Sequence, residues 1–169
     1  GLLRMGWGFF QKLVIADRVA LWVDTVFNDP AGQPGSTVAV ATVLFTFQIY
    51  CDFGGYSNIA IGAAQVMGIR LMDNFHRPFL AVSIQDFWRR WHISLTTWFR
   101  EYVYFPLGGN RVSRAKWVGN ILTVWILTGV WHGAGWNFLL WGLYYGAWML
   151  AERLLLGRWL ERLPAALGR

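Results

Sequence analysis

The chain has 169 residues, of which 56% are hydrophobic and 18% aromatic, with 12 tryptophans, while only 14% are charged. A soluble domain carries about 25% charged residues, so there is too little charge here to coat a water-facing surface of this size. High hydrophobicity excludes disorder, the single Cys51 excludes a disulfide scaffold, and the net charge of +6 lies between long uncharged stretches. That distribution suits a membrane protein obeying the positive-inside rule rather than a nucleic-acid binder. The composition predicts an all-α, polytopic transmembrane protein.

The first 36 residues are charge-balanced, and Arg4, Lys12 and Asp17 punctuate their apolar runs, so no secretory signal pattern is present. From Pro30 to Ile69 there is a single charge, Asp52. Thr37 to Tyr50 is β-branched and aromatic, but its length and lack of charge favour a membrane helix over a strand. Gly54-Gly55-Tyr56-Ser57 is predicted to interrupt that helix. A second apolar piece follows over Asn58–Ile69, whose Ala60, Gly62, Ala63, Ala64 and Gly68 permit close helix packing. Asp52 is either a functional carboxylate or one neutralised by Arg70, Arg77 or another buried partner. Tyr56, Ser57 and Asn58 are expected to form hydrogen bonds between helices.

Arg70 to Lys116 is different in kind, with eight Lys/Arg against three acids. Within it, Ser83 to Tyr102 is predicted to be one amphipathic helix. Ser83 followed by Asp86 resembles a capping box, and Pro106, Gly108 and Gly109 prevent continuation. At 100° per residue Trp88, Trp91, Leu95, Trp98, Phe99 and Tyr102 share one face, and Arg89, Arg90, Thr97, Arg100 and Glu101 the other. Such a helix suits the membrane interface, with His92 at the edge of its aromatic face. Arg89, Arg90 and Arg100 either bind an anionic ligand, such as a phosphate-bearing acyl donor, or form an ordinary face toward lipid headgroups.

Trp117 to Ala151 is 35 residues without Asp, Glu, Lys or Arg. One straight helix of that length would reach about 52 Å, against a hydrocarbon core of about 30 Å. A break is predicted at the cluster Gly129, Gly133 and Gly135, giving helices over roughly 117–131 and 136–151. Backbone so broken is tolerated at membrane depth only inside protein or beside a water-filled cavity. His132 sits at this break. An imidazole withdrawn from water favours its neutral form, which can accept a proton as general base. The alternative is a histidine bonded structurally between helices. Asn137 follows, as an inter-helix hydrogen-bonding group or a reactive one. The basic regions 70–116 and 152–169 flank this stretch, so a two-pass excursion returns both to one side, which positive-inside places in the cytoplasm.

Other chemistries find no support. His76, His92, His132 and Cys51 lack a metal-binding spacing, so no metal is predicted. No phosphate-cradling loop or dinucleotide fingerprint is present, and Gly-Tyr-Ser-Asn is not a nucleophile elbow.

Three strings carry a resemblance: Gln48-Ile-Tyr-Cys-Asp52-Phe-Gly-Gly-Tyr56-Ser-Asn58-Ile-Ala-Ile-Gly62; Phe87-Trp-Arg-Arg-Trp-His92-Ile-Ser-Leu-Thr-Thr-Trp98-Phe-Arg100-Glu-Tyr102 with Pro106-Leu-Gly-Gly-Asn-Arg111; and Gly129-Val-Trp131-His132-Gly-Ala-Gly-Trp136-Asn137-Phe. In this order they resemble the membrane-bound O-acyltransferase (MBOAT) family, in its bacterial alginate O-acetyltransferase-like branch. The resemblance runs from about Gly6 to Trp148 and implies that residues 1–169 are the central portion of one longer MBOAT membrane domain. It implies a multi-pass protein of the bacterial inner membrane, with broken helices around a funnel. His132 matches the family's essential histidine and His92 its second one, and Arg89, Arg90, Trp131 and Asn137 would then bind substrate. No bound cofactor is implied. The acyl group would come from a cytoplasmic thioester, acetyl-CoA or an acyl carrier, and pass toward a hydroxyl of an alginate-like exopolysaccharide. Periplasmic acetyl-handling or polysaccharide-modifying proteins would be partners beside the lipid bilayer.

A relative that handles D-alanine for cell-wall teichoic acids lacks the Pro-Leu-Gly-Gly-Asn-Arg string, which favours the acetylating branch. The family's Asp-Phe-Ser-Gly-Tyr-Ser-Asp is Asp-Phe-Gly-Gly-Tyr-Ser-Asn here, which weakens any catalytic role for Gly54 and Asn58. Its Pro-Glu-Asn-Phe pattern is replaced by Met72-Asp73-Asn74-Phe75. From another class, a transporter or channel subunit would also use broken helices, and an inert fragment could merely anchor partners.

Overall fold

The computed structural model describes residues 1–156. Among them the regular structure is helical, with one isolated antiparallel bridge, Phe75↔Trp91. Three of the four arginines in the basic tail, Arg158, Arg162 and Arg169, lie outside the described residues. The helices group into two compact units, Gly1–Asn74 and Phe75 onward.

In the first unit, α1 (Leu2–Phe9), a π-helical segment (Phe10–Ala16) and α2 (Asp17–Asn28) form one helical run that packs on α3 (Gly35–Val66). Glycine brings the backbones together. A Cβ on Gly8 would lie 2.6 Å from the Gly55 carbonyl oxygen, and one on Gly62 would lie 2.7 Å from that of Gly1. The small residues therefore form a packing seam, and α3 is continuous over 32 residues. This corrects the expected interruption at Gly54–Ser57. Gly54, Gly55 and Ser57 are buried, so the glycines admit a neighbouring helix instead of ending their own.

Polar groups lace the same seam. Asn58 donates from Nδ2 to Gln11 Oε1 (2.8 Å) and accepts at Oδ1 from Arg4 Nε (2.9 Å). Arg4 also pairs with Asp73, and Asn74 donates to the Ser57 hydroxyl (3.1 Å). The partner of Asp52 is Lys12, at 2.5 Å, which also holds Asp17 at 2.8 Å. A π-helical turn shifts the facing register by a residue. Here the adjacent Gln11 and Lys12 both find partners on α3.

The second unit contains a 3₁₀ turn (Pro78–Leu80), α4 (Ile84–Arg90), α5 (Ile93–Phe99), a π-helical turn (Arg100–Tyr104), α6 (Arg114–His132), α7 (Trp136–Ala151) and a last π-helical turn (Glu152–Leu156). Ser83 caps α4, its hydroxyl accepting from the Asp86 N–H at 3.0 Å. Buried Glu152 accepts from the Ile84 and Gln85 N–H groups at 2.6 and 3.2 Å, tying the end of α7 to the start of α4. The Pro-Leu-Gly-Gly string is a turn with Gly108 and Gly109 at φ +99° and +56°, where glycine carries no steric cost. Buried Asn120 donates to the Leu107 and Gly109 carbonyls, both at 3.1 Å, and so holds that turn.

The break predicted in the uncharged stretch falls at Gly133–Gly135, between α6 and α7. These helices pack closely: a Cβ on Gly129 would lie 2.6 Å from the Phe138 carbonyl oxygen, and one on Gly142 would strike that of Trp125. Among the described residues α3 is the one helix long and apolar enough to cross a membrane. The break leaves α6 with 19 residues, long enough for a span but carrying Arg114 and Lys116 in its first turn, and α7 with 16, just short of the about 17–25 that a span needs.

The predicted single helix over Ser83–Tyr102 does not form. Trp91 is extended (φ −111°, ψ 130°) and His92 is left-handed (φ 47°, ψ 53°), which separates α4 from α5. The assignment of residues to two faces of one helix fails with it. Trp88 and Phe99 are buried, whereas Trp98 and Tyr102 are exposed.

The α6–α7 contact yields a direct test. Gly129→Leu should lower stability in detergent by about 1–3 kcal/mol or prevent folding. Gly119→Ala on the same helix, where a Cβ meets nothing within 4 Å, should be neutral or stabilise by up to about 1 kcal/mol. Equal thermal unfolding of both variants would contradict this packing.

Candidate active site

His132 is the last residue of α6, and its position follows from how α6 meets α7. Trp125, Gly129 and His132 recur on one side of α6, and Phe138, Trp141 and Tyr145 on one side of α7, at the spacing of successive helical turns. The His132 ring lies 4.8 Å from that of Trp141 (interplanar angle 74°), 4.9 Å from Trp131 (84°) and 6.4 Å from Phe138 (18°). Gly133 makes room for Phe138, since a Cβ there would lie 2.5 Å from the ring.

An aromatic cluster supports this arrangement. Trp88 of α4 packs edge-to-face on Trp125 (4.9 Å), Tyr145 (5.0 Å) and Trp141 (5.7 Å). Trp125 stacks on Tyr145 at 5.6 Å, and Trp141 meets Tyr145 at 5.2 Å. Rings so arranged gain more than their buried area alone gives. The cluster joins α4 to both helices of the hairpin.

His92 arrives by a different device. Its neighbour Trp91 is clamped by Phe75 (4.9 Å, edge-to-face), Phe87 (5.5 Å, stacked) and Phe79 (6.4 Å). The Phe75↔Trp91 bridge and the His76 N–H donated to the Arg90 carbonyl (2.9 Å) hold the strand-like step in the backbone. His92 then adopts a left-handed conformation, which costs an L-residue roughly 1–2 kcal/mol. Strain of this kind persists only where its surroundings over-determine it, and it clusters at functional sites. The result places the half-buried His92 ring 5.6 Å from the Trp131 ring. Burial, and secondarily the neighbouring His132, push the His92 pKa down to about 4. His92 is therefore neutral at ordinary pH.

The structure thus brings His92, Trp131 and His132 together, with Trp131 in ring contact with both histidines. Arg90 is committed elsewhere, its Nε donating to both carboxylate oxygens of Asp86 at 2.9 Å. Arg89 is exposed, as is Asn137 in the first turn of α7. Sequence reasoning missed Trp141, Phe138, Trp125 and Tyr145. Their signal was available in the helical spacing along the uncharged stretch once it is divided in two. The clamp on Trp91 had no such signal, because Phe75 and Phe79 are remote from it in sequence.

Comparison with known proteins adds the context of this geometry. Residues 6–162 match the membrane-bound O-acyltransferase family. The chain is 44% identical over 157 residues to a probable alginate O-acetylase AlgI of Azotobacter vinelandii, covering 92% of this chain and 31% of that protein. It is 42% identical over 153 residues to a peptidoglycan O-acetyltransferase of Helicobacter pylori, covering 90% and 29%. It is 31% identical over 159 residues to a teichoic acid D-alanyltransferase of Bacillus subtilis, covering 88% and 40%. The chain therefore spans about a third of the length of these relatives. A match over almost the whole chain, containing both histidines and the tryptophan between them, shows that it belongs to the membrane-bound O-acyltransferase family.

Proposed function

We propose that this chain carries the histidine site of an integral-membrane O-acyltransferase that moves an acetyl group from a thioester toward a hydroxyl acceptor. The observation that carries the reading is the convergence on Trp131 of His92, at the strained step between α4 and α5, and His132, at the glycine turn that follows α6. His132 acts as general base, taking the acceptor's hydroxyl proton as the oxygen attacks the acyl carbonyl carbon. The carbon–sulfur bond breaks and the thiol leaves. Neutral His92 can donate a hydrogen bond to the developing oxyanion or orient the acceptor. Trp131 and Asn137 line the substrate, and Arg89, which is exposed, binds an anionic donor. Arg90, paired with Asp86, braces α4 instead of meeting the donor.

The acceptor class is an exopolysaccharide or cell-wall polymer. The relatives named as O-acetylating proteins are 41–44% identical, against 29–31% for the D-alanyltransferases, which favours acetyl over D-alanyl. The donor is acetyl-CoA or an acyl carrier, and the partners are periplasmic proteins that carry the acetyl group onward. The chain would cross the bilayer several times, with α3 and the α6–α7 hairpin embedded and the basic residues Arg111, Arg114 and Lys116 around the start of α6 on the cytoplasmic side. A transporter reading depends on paired broken spans, and the continuous α3 removes one of the two expected interruptions.

In the complete protein, His132→Ala should lower acetate incorporation into polymer by about 100-fold to 10,000-fold at equal expression. His92→Ala should lower it about 100-fold. Undiminished acetylation with His132→Ala would overturn the mechanism.

The His92 environment also sets a pH dependence. Its folded pKa of about 4 lies below the ordinary 6.5, so between those values the unfolded chain binds a proton that the folded chain does not. Stability therefore rises with pH through this window and is lost as pH falls from 6.5 toward 4. Unfolding temperatures in detergent should fall over that range for the wild type and less steeply for His92→Gln. Identical slopes would show that His92 is not held neutral by the fold.

A further inference from the structure

The three rings around His132 are more than a steric pocket. Trp141, Trp131 and Phe138 lie 4.8, 4.9 and 6.4 Å from its ring between centroids, while one side of His132 stays open. Two of these walls are fixed in advance: Trp141 is wedged among Trp88, Tyr145 and Trp125, and Phe138 lies in the space left by Gly133. A cation over the face of an indole and within about 6 Å of its centroid is attracted by the ring quadrupole. His132 is also the last residue of α6, where the helix dipole favours positive charge.

We propose that Trp141, as the best-anchored wall of this aromatic cage, stabilises the imidazolium form of His132 that exists only during acyl transfer. The inference rests on the acyltransferase reading of His132. In the balanced step, the acceptor hydroxyl gives its proton to a ring nitrogen of His132 while its oxygen bonds to the acyl carbon. The carbon–sulfur bond breaks, and the departing thiolate takes the proton back as a thiol. His132 is neutral before and after, and cationic between. An attraction felt mainly by the cation stabilises the transition state and leaves the resting enzyme almost unaffected, which is the condition for accelerating chemistry rather than merely tightening binding. Trp141 is thus a positioning residue that acts through His132.

The test replaces Trp141 in the complete protein, in membranes, with tryptophans carrying one, two, three and four ring fluorines. These withdraw π-electron density and preserve the shape of the side chain. With acetyl-CoA as donor and polymer acetylation as readout, kcat should fall stepwise with fluorination, by about tenfold across the series, with KM for the donor unchanged. Trp141→Leu, which removes the π face, should lose at least as much. A flat series in folded, fully expressed protein overturns the cage even if Trp141→Leu is inactive. His132→Ala, assayed alongside, separates the two levels. If it is inactive and the fluorine series is flat, the base stands and the cage falls. If it is fully active, the acyltransferase reading of His132 falls and the cage with it.

Discussion

The backbone contact between α6 and α7 is the constraint on which the site depends. Gly129 lies against the carbonyl of Phe138 and Gly142 against that of Trp125, with no room for a side chain at either position. Close approach lets an uncharged stretch, too long for one straight span, double back at Gly133–Gly135 and pack its inward rings against one another. It also sets the faces: with the backbones in contact, Trp125 and His132 meet Trp141 and Tyr145 directly. The small residues and the tryptophans are therefore one design, in which the former set the distance and the latter fill it.

His92 illustrates the opposite relation between local and tertiary forces. Locally, residues 83–102 have the composition of a helix, with no glycine or proline to end it. Tertiary packing wins at Trp91, where three phenylalanine rings and a backbone bridge draw the chain out of helical geometry. The strain then falls on the next residue, one of two non-glycine residues at positive φ among those described. The other is Arg77, two positions beyond Phe75 in the opposite strand of the same bridge. Strain on both sides of this strap is consistent with a backbone held for the sake of where His92 points.

The helical class, the break at Gly133–Gly135 and the Ser83 cap were legible in the sequence, because each depends on local chemistry, whereas the meeting of His92 and His132 at Trp131 was not, because it depends on tertiary packing. The seam role of Gly54, Gly55 and Gly62 was only half legible. Small residues announce close packing and helix interruption with the same letters, and the presence of α1 against α3 decides between them. The π-helical register at Phe10–Ala16, which accompanies the pairing of Lys12 with Asp52, has no sequence mark. The break at Trp91–His92 was illegible for the same reason, since its cause lies in residues 75 and 79.

The central claim is that a forced helix break aims His92 at the tryptophan beside His132. The most direct measurement is a cryo-EM map of the complete protein in lipid nanodiscs, at a resolution that shows side chains. The account predicts an extended Trp91, a left-handed His92, and the rings of His92 and His132 both in contact with Trp131. A continuous helix through residues 91 and 92, with the His92 ring turned away from Trp131, would contradict it.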